Sequence, residues 1–199
     1  MYHPGTNNKV YKKINETFEW SSENFKKISL ILKKYPSKRI QSAVIPLLDL
    51  AQRQNNGWLS KNSMEKVAET LSMSYIRVLE VATFYSMFNL EPIGKNFVQI
   101  CRTTPCWLRG SEKLSKVAQE VCQIKLGETS SDNSFTLVEV ECLGACCNAP
   151  MVQINDDYYE DLDEDSFREI LVNLKKNKNM KPGSQIGRQS SHPERKTNA

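Results

Sequence analysis

Two short cysteine loops, each following an apolar-rich run, constrain this chain more than any other feature. Phe97-Val98-Gln99-Ile100 leads into Cys101-Arg102-Thr103-Thr104-Pro105-Cys106, and Phe135 to Glu141 leads into Cys142-Leu143-Gly144-Ala145-Cys146-Cys147. Runs of this kind predict β-strands. Strands that both end in cysteines bring their loops to one edge of a sheet, where sites in open α/β sheets collect. Five of the six cysteines lie in these loops, and the two histidines, His3 and His192, lie near the termini.

Four thiolates from two loops suit a [2Fe–2S] cluster, which takes two thiolates on each iron. Gaps of four and three residues let each loop wrap a group wider than one ion. A structural zinc site is the competing reading, although zinc pairs more often use a two-residue gap. A thiol–disulfide enzyme would use Cys-x-x-Cys, which does not occur here. Spacing leaves Cys146 and Cys147 open as the fourth ligand, and Cys122 reads as a core residue of a helix. An anionic cluster needs donors and counter-charge, for which Thr103, Thr104 and either Arg102 or Arg109 are placed. Gly144 is expected to permit close backbone approach, and Pro105 and Pro150 to stiffen the loops.

The remainder reads as scaffold. Residues 1–21 form a loosely ordered N-terminus. Residues 22–89 read as a helical bundle: Phe25, Ile28, Leu32 and Tyr35 on a helix opened by Ser22, then Ile40 to Ala51 on a second, kinked at Pro46. Met64, Val67, Ala68 and Leu71 lie on a third, and Ile76, Leu79, Ala82, Phe84 and Phe88 on a fourth. Phe84, Tyr85, Met87 and Phe88 are expected in the core; any that is exposed would mark a partner surface. After Leu90-Glu91-Pro92-Ile93-Gly94, residues 95–176 read strand, helix, strand, strand, helix, the shape of a thioredoxin-type domain. Residues 177–199 read as an extended basic C-terminal tail.

Charge excludes one class of partner. The net +4 resides in the tail: from Lys175 onward there are seven basic residues and one acidic, while residues 1–174 hold 20 basic and 22 acidic, or −2. A helix-turn-helix reading of residues 60–88 therefore lacks the basic face that nucleic acid requires, and no nucleic acid is expected. No run of about 18 apolar residues occurs, so no membrane insertion is expected. With neither an apolar signal core nor an Arg-rich transit pattern near Met1, the chain is expected in a reducing compartment.

A longer pattern narrows the choice. Asp132-Asn133-Ser134-Phe135-Thr136, five residues, Cys142-Leu143-Gly144-Ala145-Cys146, two residues and Ala149-Pro150 resemble the signature of the small [2Fe–2S] subunit of NADH:quinone oxidoreductase (respiratory complex I), the 24 kDa or E-type family. The resemblance spans residues ~20–190 and includes Ser42-Ala43-Val44-Ile45-Pro46-Leu47-Leu48, Val81-Ala82-Thr83-Phe84-Tyr85 and Thr103-Thr104-Pro105-Cys106.

It implies an α+β chain, a helical bundle followed by a thioredoxin-like ferredoxin domain, and one [2Fe–2S] cluster on Cys101, Cys106, Cys142 and Cys146. Cys147 falls on a variable position of the family pattern. The resemblance also implies an electron-transfer subunit that is not catalytic alone. It would work with a flavoprotein subunit that holds FMN and binds NADH, and with further peripheral-arm subunits. Consistently, this chain has no G-x-G-x-x-G after a predicted strand. The implied location is the bacterial cytoplasmic face of the inner membrane, with the mitochondrial matrix side as the alternative. The small subunits of NAD-linked hydrogenases and formate dehydrogenases look much alike, and a zinc-stabilised interaction module is the remote reading. The tail resembles the family's C-terminal arm along the flavoprotein. Its deletion is expected to weaken association and leave the cluster spectrum intact.

Overall fold

Residues 17–191 are described by the computed structural model, and they divide into two compact units, one ending at Ile93 and the other beginning at Gly94. The first is helical. Helix α1 (Ser22–Leu32) is capped by Ser21, one residue before the expected cap, whose hydroxyl accepts the Asn24 N–H at 3.2 Å. A 3₁₀ stretch (Ser37–Ala43) leads into α2 (Val44–Gln54). Pro46 does not kink α2. It sits in the first turn, where a missing N–H forfeits no helical bond. Helix α3 (Lys61–Leu71) is capped by Ser60 and buries all four residues of its expected face, Met64, Val67, Ala68 and Leu71.

Helix α4 (Tyr75–Phe84) departs from expectation. It buries Val78 and Ala82 and leaves Ile76 and Phe84 exposed. Arg77, Glu80 and Thr83 mark a polar arc of α4, and Ile76 and Phe84 lie within that arc, on the side turned outward. Phe88, beyond the helix end, is buried, whereas Tyr85 and Met87 are exposed; so is Phe25 on α1. The core gathers Leu47, Leu48, Ala51, Leu59, Met64, Val67, Leu71 and Phe88. Trp20 also belongs to it, packing edge to face on Phe18 at 5.2 Å and donating Nε1–H to Thr70 Oγ1 at 3.0 Å. Residues 18–20 of the segment expected to be loose are thus tied down, and residues 1–16 lie outside the described residues.

The second unit is a five-stranded mixed sheet with helices. In chain order it runs β1 (Asn96–Cys101), α5 (Thr104–Leu108), α6 (Ser111–Cys122), β2 (Phe135–Val140), β3 (Val152–Ile154), β4 (Asp157–Glu160), α7 (Glu164–Lys175) and β5 (Gly183–Ser184). The sheet order is β2-β1-β3-β4-β5. Strands β1 and β2 are parallel, joined through α6, with Asn96 opposite Phe135 and Cys101 opposite Val140. Strand β3 runs antiparallel to both β1 and β4, and β5 lies parallel to β4. At the entry to the unit, a Cβ on Gly94 would lie 2.6 Å from the Phe135 carbonyl carbon, so only glycine fits. Asp163 and Ser166 close a capping box on α7. Helices α6 and α7 and the sheet share one core, including Val98, Ile100, Leu114, Leu137, Phe167 and Leu171.

Two elements were absent from the sequence reading. The five-residue α5 lies inside the first cysteine loop, and β5 lies inside the segment read as an extended tail. Residues 183–191 are bound to β4 through hydrogen bonds described below, while residues 192–199, with His192, lie outside the described residues. No described helix is long and apolar enough to cross a membrane.

Candidate metal centre

Because β1 and β2 are parallel, their C-terminal ends share one sheet edge, and both cysteine loops start there. The first loop is built in. Cys101 is the last residue of β1 and Cys106 lies within α5, and both thiols are buried. Pro105 is the second residue of α5, so its fixed φ helps start the helix that turns Cys106 inward. Beneath the pair lies a small apolar cluster of Ala145, Ala149 and Met151, with Leu143 and Tyr158 packed against it.

The second loop is outside. Cys142, Cys146 and Cys147 are exposed, and Cys146–Asn148 form one 3₁₀ turn. Gly144 has φ +83°, and a Cβ there would meet nothing within 4 Å, so backbone conformation rather than close approach calls for glycine within this chain. Its N–H points to Cys142 Sγ at 3.4 Å. The Tyr158 hydroxyl donates to the Leu143 carbonyl at 2.7 Å and holds the loop from the β4 side. The Ala149–Pro150 peptide bond is cis.

The thiols meet in pairs. Cys142 and Cys146 Sγ are 3.3 Å apart, and all six cysteines are free. Cys101 is drawn down to about 5, chiefly by a hydrogen bond from Cys106 and further by Thr103, whose hydroxyl lies 3.3 Å from Cys101 Sγ. Cys106 is pushed up correspondingly by sharing its proton with Cys101 and by burial. The second pair repeats the arrangement: Cys142 is lowered, first by the Gly144 N–H and then by Cys146, which is raised. The Thr103 hydroxyl also helps to lower Cys142, so it acts on a thiol of each loop. The charges of Cys101 and Cys146 are felt across the gap between the loops.

This donor set suits a two-iron group. Metal insertion would require all four thiols to give up their protons. Among the described residues no three His, Cys, Asp or Glu side chains are grouped to hold a single ion. Two thiol pairs, one from each loop, match the two thiolates per iron of a [2Fe–2S] cluster.

One of the two arginines expected as counter-charge, Arg102, is already engaged. Arg102 is engaged by Glu139 and, at 3.3 Å, by Glu112, so its charge is already matched by carboxylates. The motif residue Asp132 is structural. It accepts from Ser130 Oγ at 2.5 Å, Ser134 N–H at 3.0 Å and Ser134 Oγ at 2.7 Å, closing the turn that feeds β2. Cys122 is buried on α6, away from both loops in sequence, and burial pushes its thiol up to about 11. Sequence reasoning passed over Tyr158, Asn148 and Arg188, which support the second loop. Asn148 lies in the loop's own turn and its partner Glu160 is distant, while Tyr158 and Arg188 reach the loop only across the fold, so no local pattern marks these roles.

Comparison with known proteins agrees with this geometry. Residues 28–175 match the thioredoxin-like [2Fe–2S] ferredoxin family. The chain is 55% identical over 160 residues to the E-type subunit of the NADH-quinone oxidoreductase of Rickettsia typhi, covering 80% of this chain and 94% of the relative. It is 53% identical over 181 residues to the mitochondrial NADH dehydrogenase [ubiquinone] flavoprotein 2 of Dictyostelium discoideum, covering 90% of this chain and 73% of that one. In fold it is similar to a crystal structure of an air-oxidized NAD+-reducing [NiFe]-hydrogenase, at 18% identity and TM-score 0.59, over 65% of this chain and 23% of that chain. With its α+β architecture and paired thiols, the chain belongs to the thioredoxin-like [2Fe–2S] ferredoxin family, among the E-type subunits of NADH-quinone oxidoreductase, and is an electron-transfer protein whose cofactor is a [2Fe–2S] cluster.

Proposed function

We propose that Cys101, Cys106, Cys142 and Cys146 are the four cluster ligands, one loop to each iron, and that the chain exchanges electrons with the FMN of a partner flavoprotein during NADH oxidation. The observation carrying this reading is the parallel pairing of β1 and β2, which brings two mutually bonded thiol pairs to one sheet edge. When bound, the cluster accepts and returns one electron at a time. The chain's own residues supply the rest. Thr103 O–H and Gly144 N–H donate toward thiolates whose negative charge grows on reduction, and buried Cys101 and Cys106 keep one side of the site from water. Exposed Cys142 and Cys146 leave the opposite side open to a redox partner.

The exposed Phe84, Tyr85 and Met87 support a protein partner for the helical unit. The names of the relatives point to a respiratory NADH oxidoreductase as the assembly. NADH and FMN then belong to the flavoprotein, and the complex sits against the inner face of the energy-transducing membrane. Cys147 is a neighbour of the site and not a ligand. The test is anaerobic purification of Cys→Ser variants with acid-labile sulfide and electron paramagnetic resonance (EPR) as readouts. Each of the four substitutions should abolish the native signal while Cys147→Ser retains it. Loss in Cys147→Ser with retention in Cys146→Ser would overturn the ligand assignment. Co-purification with a flavoprotein tests the partner.

A further inference from the structure

The geometry points to residues 183–191 as a strap that positions the second cysteine loop, with Arg188 as its principal positioning residue. The inference rests on the proposed ligand role of Cys142 and Cys146.

Two neighbouring carboxylates at the end of β4 anchor the strap. Asp161 has a side chain only 3% exposed, and it accepts from Ser184 Oγ at 2.6 Å and from Arg188 Nε at 3.0 Å, with Arg188 Nη2 on its other oxygen. The same Nη2 donates to the Cys147 carbonyl at 2.9 Å. One planar guanidinium therefore joins a buried carboxylate to the backbone immediately after Cys146, a task that suits a fork-shaped donor.

Glu160 is fully buried and serves the next residue. Its carboxylate accepts from Asn148 Nδ2 at 2.6 Å and from the Ser191 N–H at 3.0 Å, and also binds the Ser191 hydroxyl. Asn148 Nδ2 donates in addition to the Gln189 carbonyl at 2.8 Å. The three groups bonded to this carboxylate, Asn148 Nδ2 and the Ser191 N–H and hydroxyl, can all donate to it. Two of those donors belong to the strap and one to the cysteine loop.

The loop's own bonds, from Asn148 N–H to the Ala145 carbonyl and from Ala149 N–H to the Cys146 carbonyl, are thus supplemented from outside the loop. Cys142 and Cys146 are exposed, and the turn between Cys146 and Pro150 is tied down by β4 and the strap. A free thiolate ligand on an untethered turn opens more readily, so tethering slows cluster release and fixes the coordination geometry. This reverses the expectation that removing the C-terminal segment leaves the cluster untouched.

The test compares full-length, cluster-loaded Arg188→Ala, Arg188→Lys and a chain ending at Lys181. The readouts are cluster release under chelator, followed by visible absorbance, the EPR line shape of the reduced cluster, and apo-protein melting. Arg188→Ala should release the cluster roughly tenfold faster with an altered line shape, the effect of losing one charge-assisted bridge. Arg188→Lys should fall between wild type and Ala, since a point donor cannot span both acceptors. The truncated chain should release faster than either. An unchanged release rate and line shape in Arg188→Ala overturns the proposal, as does lower melting with both cluster readouts unchanged. Should the truncated chain not fold, the two point variants decide. A parallel Cys142→Ser chain separates the premises: a native cluster there defeats the ligand reading, whereas its loss beside a normal Arg188→Ala defeats the strap alone.

Discussion

The two cysteine loops present the same chemistry on unlike foundations. Cys101 and Cys106 sit within a strand and a helix, and the apolar core closes over them. Cys142 and Cys146 sit on a surface turn held by Tyr158, by Asp161 through Arg188 and by Glu160 through Asn148. The first loop is shaped by hydrophobic burial and regular backbone bonding, which few single changes remove. The second buries Ala145 and Ala149 in the same cluster, but its exposed, thiol-bearing side is held by side-chain bonds from distant residues, each of which one substitution can delete. A site with one fixed jaw and one adjustable jaw can be tuned through the second without disturbing the core behind the first.

The largest test of this contrast is Met151→Ala. Met151 is almost fully buried beside Cys101 and Cys106, so a cavity should cost about 2–5 kcal/mol of apo-protein stability in urea unfolding. A cost below about 1 kcal/mol would show that the first loop is not core-supported. Next comes the paired comparison of Cys101→Ser with Cys142→Ser in the apo chain. The buried hydroxyl of the first should cost about 1–3 kcal/mol, and the exposed change should stay within about 0.5 kcal/mol. Equal costs would erase the distinction.

Tyr158→Phe removes the only hydroxyl bonded to Leu143 O among the described contacts, and should cost about 1 kcal/mol. Hydrogen exchange should quicken in residues 142–147 and remain unchanged in 101–106; acceleration in both loops would contradict independent support. The smallest effect concerns the turn that feeds β2. Hydrogen bonds from Ser130 and Ser134 hold Asp132 down to about 2, from an ordinary 3.8. A depressed folded value means that the stabilisation is complete above the unfolded value, near pH 4, and is lost as pH falls through about 2. A carboxyl NMR titration should give a midpoint near 2, moving toward 3.8 in Ser130→Ala; a wild-type midpoint already at 3.8 would refute the turn's hydrogen bonding.

Much of the fold was legible because local pattern and tertiary role coincide. Helix α3 shows a clean apolar stripe and buries it; β1 and β2 read as short apolar-rich runs and pair. An apolar residue is not always on the apolar face: Ile76 and Phe84 of α4 lie among Arg77, Glu80 and Thr83 and turn outward with them. Pro46 reads as a breaker until the preceding 3₁₀ stretch puts it in a first turn. Arg102 reads as counter-charge for the cysteines until Glu112 and Glu139 claim it from α6 and β2.

By itself the sequence determined which thiols exist, that each pair follows a strand, and that the flanking residues resemble those of a [2Fe–2S] protein, since these depend on neighbours in the chain. Only the tertiary structure decided that one pair is buried and the other exposed, and that a segment read as a tail returns to hold the exposed one. Arg188 lies 41 residues from Cys147 and 27 from Asp161. Bonds across such separations leave no periodic trace; they exist because the pairing of β4 with β5 brings residues 160–161 and 183–191 together.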